Sequence, residues 1–171
     1  MRGDFKKTYT PWGIKDKKEV SDFLLFLNKI EEIQMFLPED GDQGIKLIKV
    51  GMFNIVTAFY KENVLKLFEK LAEKLEKMAL DKENKIKLTG FKDFSKANEE
   101  VKKLNLLRIR IREAEALLYK IIDKLEEKYL VLARFLNAAS KYLFYYTIEK
   151  YDLPEWVPEE KIKELREVLE K

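Results

Sequence analysis

Apolar positions along the chain recur mostly at helical spacing. Val20, Phe23, Leu27, Ile30 and Leu37 form one stripe, with Leu24 beside it and Asp22, Lys29, Glu31 and Glu32 largely off it. The pattern predicts a first helix from about Asp16, where Asp16 and Glu19 resemble a capping box, to Leu37, where Pro38 ends it. The segment 38–44 is the clearest break and reads as a solvated turn with three acids. Val64, Leu67, Phe68, Leu71, Leu75 and Met78 predict another helix over 61–81. Residues 45–60 fit two patterns. Ile45, Ile48, Met52, Ile55 and Phe59 suit a helix, whereas the β-branched and aromatic content on either side of Gly51 suits two strands. We read them as helix.

From Ser95 to Asp152 there is neither Gly nor Pro, and apolar residues recur from Ala97 to Leu143. As one helix this stretch would run roughly 85 Å, long for a compact domain of this size. It is therefore either a true long helix or one that breaks at Asn105 or at Glu126-Glu127-Lys128. Pro158, followed by Glu159 and Glu160, opens a short C-terminal helix over 158–171, whose apolar face is Ile162, Leu165 and Leu169. Residues 1–15 read as an irregular arm punctuated by Pro11-Trp12-Gly13. The expected fold is one all-α domain over 1–171, a helical bundle with one long helix. The alternative is an α+β fold with a small sheet from 45–60 and 86–88, joined by 106–112.

Composition narrows the chemistry. The 171 residues include no Cys and no His, so disulfides, Cys/His zinc sites, thiol nucleophiles and imidazole bases are excluded. Carboxylate pairs such as Glu31/Glu32 and Glu113/Glu115 are frequent because Glu is frequent, and a di-metal bundle would ordinarily add His. No phosphate-binding loop, dinucleotide fingerprint or nucleophile elbow is present. The expectation is a protein that is not an enzyme, with no cofactor, no metal and no catalytic residue. The longest apolar run, Phe23 to Leu27, is too short for a membrane span, and no signal peptide is visible, so the expected location is cytoplasmic. The Arg2-Gly3-Asp4 tripeptide is given no adhesive role. Abundant Lys and Glu with two Gln resemble hyperthermophile composition. By composition alone the chain also resembles accessory subunits of larger assemblies, among them the helical small subunits of CRISPR effector complexes; no motif carries that resemblance.

Two local features point to function. Residues 85–112 hold nine basic and three acidic side chains, a net charge of +6 against +3 for the whole chain. Three of the six Arg lie at 108, 110 and 112. In a helix Arg108 and Arg112 share a face while Arg110 points about 200° away; only a strand would align all three. The helical flanks favour the former. Arg108 and Arg112, joined by Lys96 or Lys103, then form a candidate ridge for the phosphates of RNA or single-stranded DNA. The second feature is the aromatic density at Tyr142, Tyr145, Tyr146, Tyr151 and Trp156. Consecutive rings at 144–146 cannot all face one core, so some are expected at a protein interface. The sequence thus predicts a non-enzymatic helical interaction subunit that self-associates or binds a protein partner. Nucleic-acid binding through 85–112 is the alternative.

Overall fold

The computed structural model describes residues 5–86, 91–123 and 126–171. In chain order the elements are β1 (Lys7–Thr10), β2 (Gly13–Asp16), α1 (Ser21–Met35), α2 (Gln43–Tyr60), α3 (Glu62–Lys85), α4 (Glu99–Ile122), α5 (Leu130–Lys150) and α6 (Pro158–Leu169). Single 3₁₀ turns at Phe94–Lys96 and Glu127–Tyr129 precede α4 and α5. The protein is a mostly α-helical bundle, and the only sheet among the described residues is the two-stranded hairpin β1–β2. Residues 45–60 are helical, as are 106–112; the 86–88 segment lies largely outside the described residues.

The first five helices close a ring in the order α1, α4, α5, α3, α2, with α2 returning to α1 and also touching α5. Each outer helix contributes one stripe. That of α1 is Phe23, Phe26, Ile30 and Ile33; that of α3 is Leu65, Phe68, Ala72, Leu75 and Ala79. α5 differs: eleven of its 21 residues are buried, as expected of a helix walled by neighbours on several sides.

The Gly- and Pro-free stretch does not form one long helix. α4 ends at Ile122 and α5 begins at Leu130, so the break falls at the polar patch around Glu126-Glu127-Lys128 and not at Asn105. Two helices that fold back on each other bury both apolar stripes, which a single projecting rod leaves in water. Tyr129 fixes the turn by stacking on Phe59, with ring centroids 4.9 Å apart.

Part of the expected irregular arm is ordered. Over Lys7–Asp16 it forms an antiparallel hairpin, with Gly13 at a positive φ of 101° after Pro11-Trp12. Trp12 sits edge-on to Phe23 at 5.1 Å, to Phe59 at 6.2 Å and to Tyr129 at 6.5 Å, so the hairpin tip is anchored on the core. Because Asp16 pairs with Lys7 in the hairpin, α1 starts at Ser21, later than the capping-box pattern predicts.

Gly51 is not a strand joint. Gly44 and Gly51 stand seven residues apart on the buried face of α2, and a Cβ at either would fall within a ring of α5: Tyr142 for Gly44, Phe135 for Gly51. Phe135 and Tyr142 are likewise seven apart. The rings of one helix occupy the notches of the other, with the chains running in opposite directions. In a solvent-facing helix Gly→Ala gains about 1 kcal/mol, whereas overpacking a close-packed core costs about 1–3 kcal/mol. Steric overlap should therefore win. Gly51→Ala is expected to lower the unfolding free energy by up to about 2 kcal/mol, measured by urea denaturation. An increase would contradict the packing described.

Candidate interaction surfaces

The aromatic end of α5 divides into a structural part and an exposed part. Tyr142 is 1% exposed, and its hydroxyl donates to Oδ2 of Asp42. Oδ1 of the same carboxylate accepts from the backbone N–H of Ile45 at 3.0 Å and so caps α2. Lys82 of α3 closes the group: its Nζ lies 3.8 Å from Asp42, 2.6 Å from Glu149, and 5.4 Å from the centre of the Tyr142 ring. Three helices and the 38–44 turn are tied here. Burial, followed by the hydrogen bond to Asp42, raises the Tyr142 pKa far above the ordinary 10.0.

Tyr146 stacks on Tyr142 at 6.3 Å and is half-buried. Tyr145 turns elsewhere, edge-on to Phe144 at 5.3 Å and beside Glu83. The Tyr151 hydroxyl is buried near Glu100 and Lys150 without a hydrogen bond of normal geometry. Trp156 is exposed, with Lys161 5.3 Å from its ring. Of the five predicted interface residues, Tyr142 therefore belongs to the core, Tyr145, Tyr146 and Tyr151 are half-buried, and Trp156 faces solvent.

The basic segment is also divided. Arg108 donates from Nε to Asn105 at 3.0 Å, and its guanidinium lies 5.3 Å from the Phe144 ring and 5.9 Å from Phe94. Desolvation lowers its pKa, and the Arg112 charge adds to this. Arg110 bonds Glu32 of α1 at 2.7 Å and covers Phe36 at 4.1 Å; Lys29 links the same Glu32 to Glu113, both at 2.9 Å. Arg108 and Arg110 are thus occupied by protein groups. Lys96, Lys103 and Arg112 are exposed. At about 100° per residue, Lys103 lies on the Arg110 flank of α4 and Arg108 on the flank facing Phe94 and Phe144. Lys103 is thus apart from Arg108, whereas Arg112, four residues beyond Arg108, shares its face of α4.

Lys103 meets the aromatic cluster instead. With Tyr146 and Lys150 it lines a cleft of about 540 Å³ between the end of α1, the start of α4 and the end of α5. Met35, Phe36, Leu37 and Leu104 give it an apolar lining, Glu100 stands beside Lys103 and Lys150, and Glu39 and Asp40 border it from the α1–α2 turn.

α6 is the last surface. None of its residues is buried: Ile162, Leu165, Val168 and Leu169 are 48%, 58%, 70% and 75% exposed. The chain before it is fastened by the N–H of Asp93 donating to Pro154 O at 2.8 Å and the N–H of Trp156 donating to Phe91 O at 2.6 Å. Among the described residues, no helix is long and apolar enough to cross a membrane.

Sequence reading missed Asp42, Lys82, Glu149 and Gly44. Asp42, placed just before an apolar helical run, carried a capping signal; the Lys82–Glu149 pair spans 67 residues and carried none. Compared with protein-family models, curated proteins and solved structures, the chain matches none.

The raised Tyr142 pKa fixes the sign of a pH effect. The folded state retains a proton that the unfolded chain releases near pH 10, so stability falls as pH rises above about 10. Tyr142→Phe is expected to cost about 1 kcal/mol at neutral pH and to flatten the alkaline decline, measured by urea denaturation at pH 7 and above 10. An unchanged alkaline slope would contradict the assignment.

Proposed function

We propose that the protein is a non-enzymatic helical assembly subunit that engages a protein partner through α6. The observation that carries this reading is the apolar stripe of α6. An isolated helix of 12 residues is marginal in water, and its tertiary stability ordinarily comes from burying one face. Here that face is patterned at Ile162, Leu165 and Leu169, which are 48%, 58% and 75% exposed. Exposed Trp156 and Val157, immediately before it, extend the apolar surface with residue types common at interfaces.

The nucleic-acid alternative has less support. Of its four predicted contacts, Arg108 is committed to Asn105, Phe94 and Phe144, and Lys103 stands on another flank of α4, leaving Lys96 and Arg112.

Replacing Ile162 and Leu165 by Asp should abolish association, measured by multi-angle light scattering of the full chain, alone and with proteins from its source cells. Thermal unfolding should stay unchanged, because both side chains lie outside the core. The same experiment includes labelled single-stranded RNA and DNA at about 50 and 300 mM salt, where no saturable binding is expected. Association that survives the double substitution contradicts the reading. Steeply salt-dependent RNA binding by the same variant replaces it with the alternative.

A further inference from the structure

We propose that α6 pairs with α6 of a second copy, the two helices running antiparallel about a two-fold axis beside Ile162. This rests on the reading of α6 as a docking element and specifies its partner. At about 100° per residue, Pro158, Ile162, Leu165 and Leu169 fall within an arc of about 60°. Glu159 and Arg166 flank that arc on one side, and Lys161, Glu164 and Val168 on the other. Glu160, Lys163 and Glu167 lie behind it. Glu170 and Lys171, past the helix end, carry opposite charges.

Axial spacing fixes the register. With the two-fold axis level with the step from Ile162 to Lys163, the apolar side chains of the two copies interleave. Along the seam the order is Pro158, the partner's Leu165, Ile162, the partner's Ile162, Leu165 and the partner's Pro158, at steps of about 1.5–3 Å. Each Leu169 then reaches the level at which the partner's chain enters its helix, where Trp156 and Val157 are exposed. The apolar surface just before α6 is thereby matched to the most exposed residues at its far end, Val168 and Leu169.

The charges agree with this register and direction. On one flank Glu159 stands level with the partner's Arg166, and the two-fold axis repeats the pair. On the other flank two Lys161 and two Glu164 meet around the axis, each lysine level with the partner's Glu164. Within one helix Lys161 and Glu164 already lie 3.8 Å apart, and Asp93 at the root of α6 adds a carboxylate near Lys161. Every charged side chain within α6 is thus balanced or turned away from the seam. In a parallel pair each Lys161 would instead face the partner's Arg166. A pair of 12-residue helices is short, so its association is weak and depends on concentration.

The test is sedimentation equilibrium of the full chain from about 1 to 300 µM, joined to cysteine cross-linking, for which the Cys-free chain gives no background. Wild type is expected to approach twice 20.4 kDa at the upper end. Arg166→Glu opposes like charges twice and should weaken the dimer about tenfold. Adding Glu159→Arg should restore it to within about threefold of wild type, which a general loss of folding would not allow. Under oxidation at the upper concentration Ile162→Cys should cross-link to its copy. Leu169→Cys should not, because its two sulfurs then lie about 20 Å apart along the axis. A dimer that Leu165→Asp dissociates, but in which Leu169→Cys cross-links or the charge exchange brings no rescue, pairs through α6 in another geometry: the proposal falls and the docking reading stands. A wild-type chain that is monomeric throughout overturns the proposal and leaves the docking reading to its own test with proteins from the source cells. A dimer that survives Leu165→Asp forms elsewhere, and overturns both the proposal and self-association through α6.

Discussion

The close approach of α2 to α5 is the constraint on which the rest of the structure depends. Without side chains at Gly44 and Gly51, α2 admits Tyr142 and Phe135 into its own surface. That contact brings Asp42, at the start of α2, within reach of the Tyr142 hydroxyl and of Lys82. The same carboxylate caps α2, so one short side chain links helix initiation, a buried ring and the end of α3. The α1–α2 turn is thereby held, and with it the Glu39–Asp40 border of the cleft.

Much of the charge that looks functional in one dimension is used inside the bundle. Arg110, Glu32, Lys29 and Glu113 form a network between α1 and α4, and Arg108 lies against the adjoining rings of Phe94 and Phe144. A local excess of basic residues therefore does not by itself make a basic surface. Apolar surface that the bundle's own packing leaves exposed includes the α6 stripe.

The helices were legible where one stripe sufficed, as over 61–81, because burial imposes the 3.6-residue period directly. Residues 45–60 were harder because Gly51 carries packing information that only the partner helix reveals. The α4–α5 break was foreshadowed by the polar patch at 126–128 but not required by it, since no breaker residue stands there. The hairpin escaped notice because Trp12 reads locally as a turn residue, while its role depends on Phe23, Phe59 and Tyr129. Within the basic segment, the separation of Lys103 from Arg108 follows from the angular spacing of α4, which proximity in sequence hides. The apolar face of the last helix was legible in the sequence. Its exposure was not.

In the proposed function, α6 gains its stability from a partner protein surface. Amide hydrogen exchange of the full chain at about 1 µM is the decisive measurement. Amides of 158–169 are expected to exchange rapidly in the dilute chain while those of α5 stay protected. Protection of 158–169 equal to that of α5 would contradict the proposal, because α6 would then be stable without a partner.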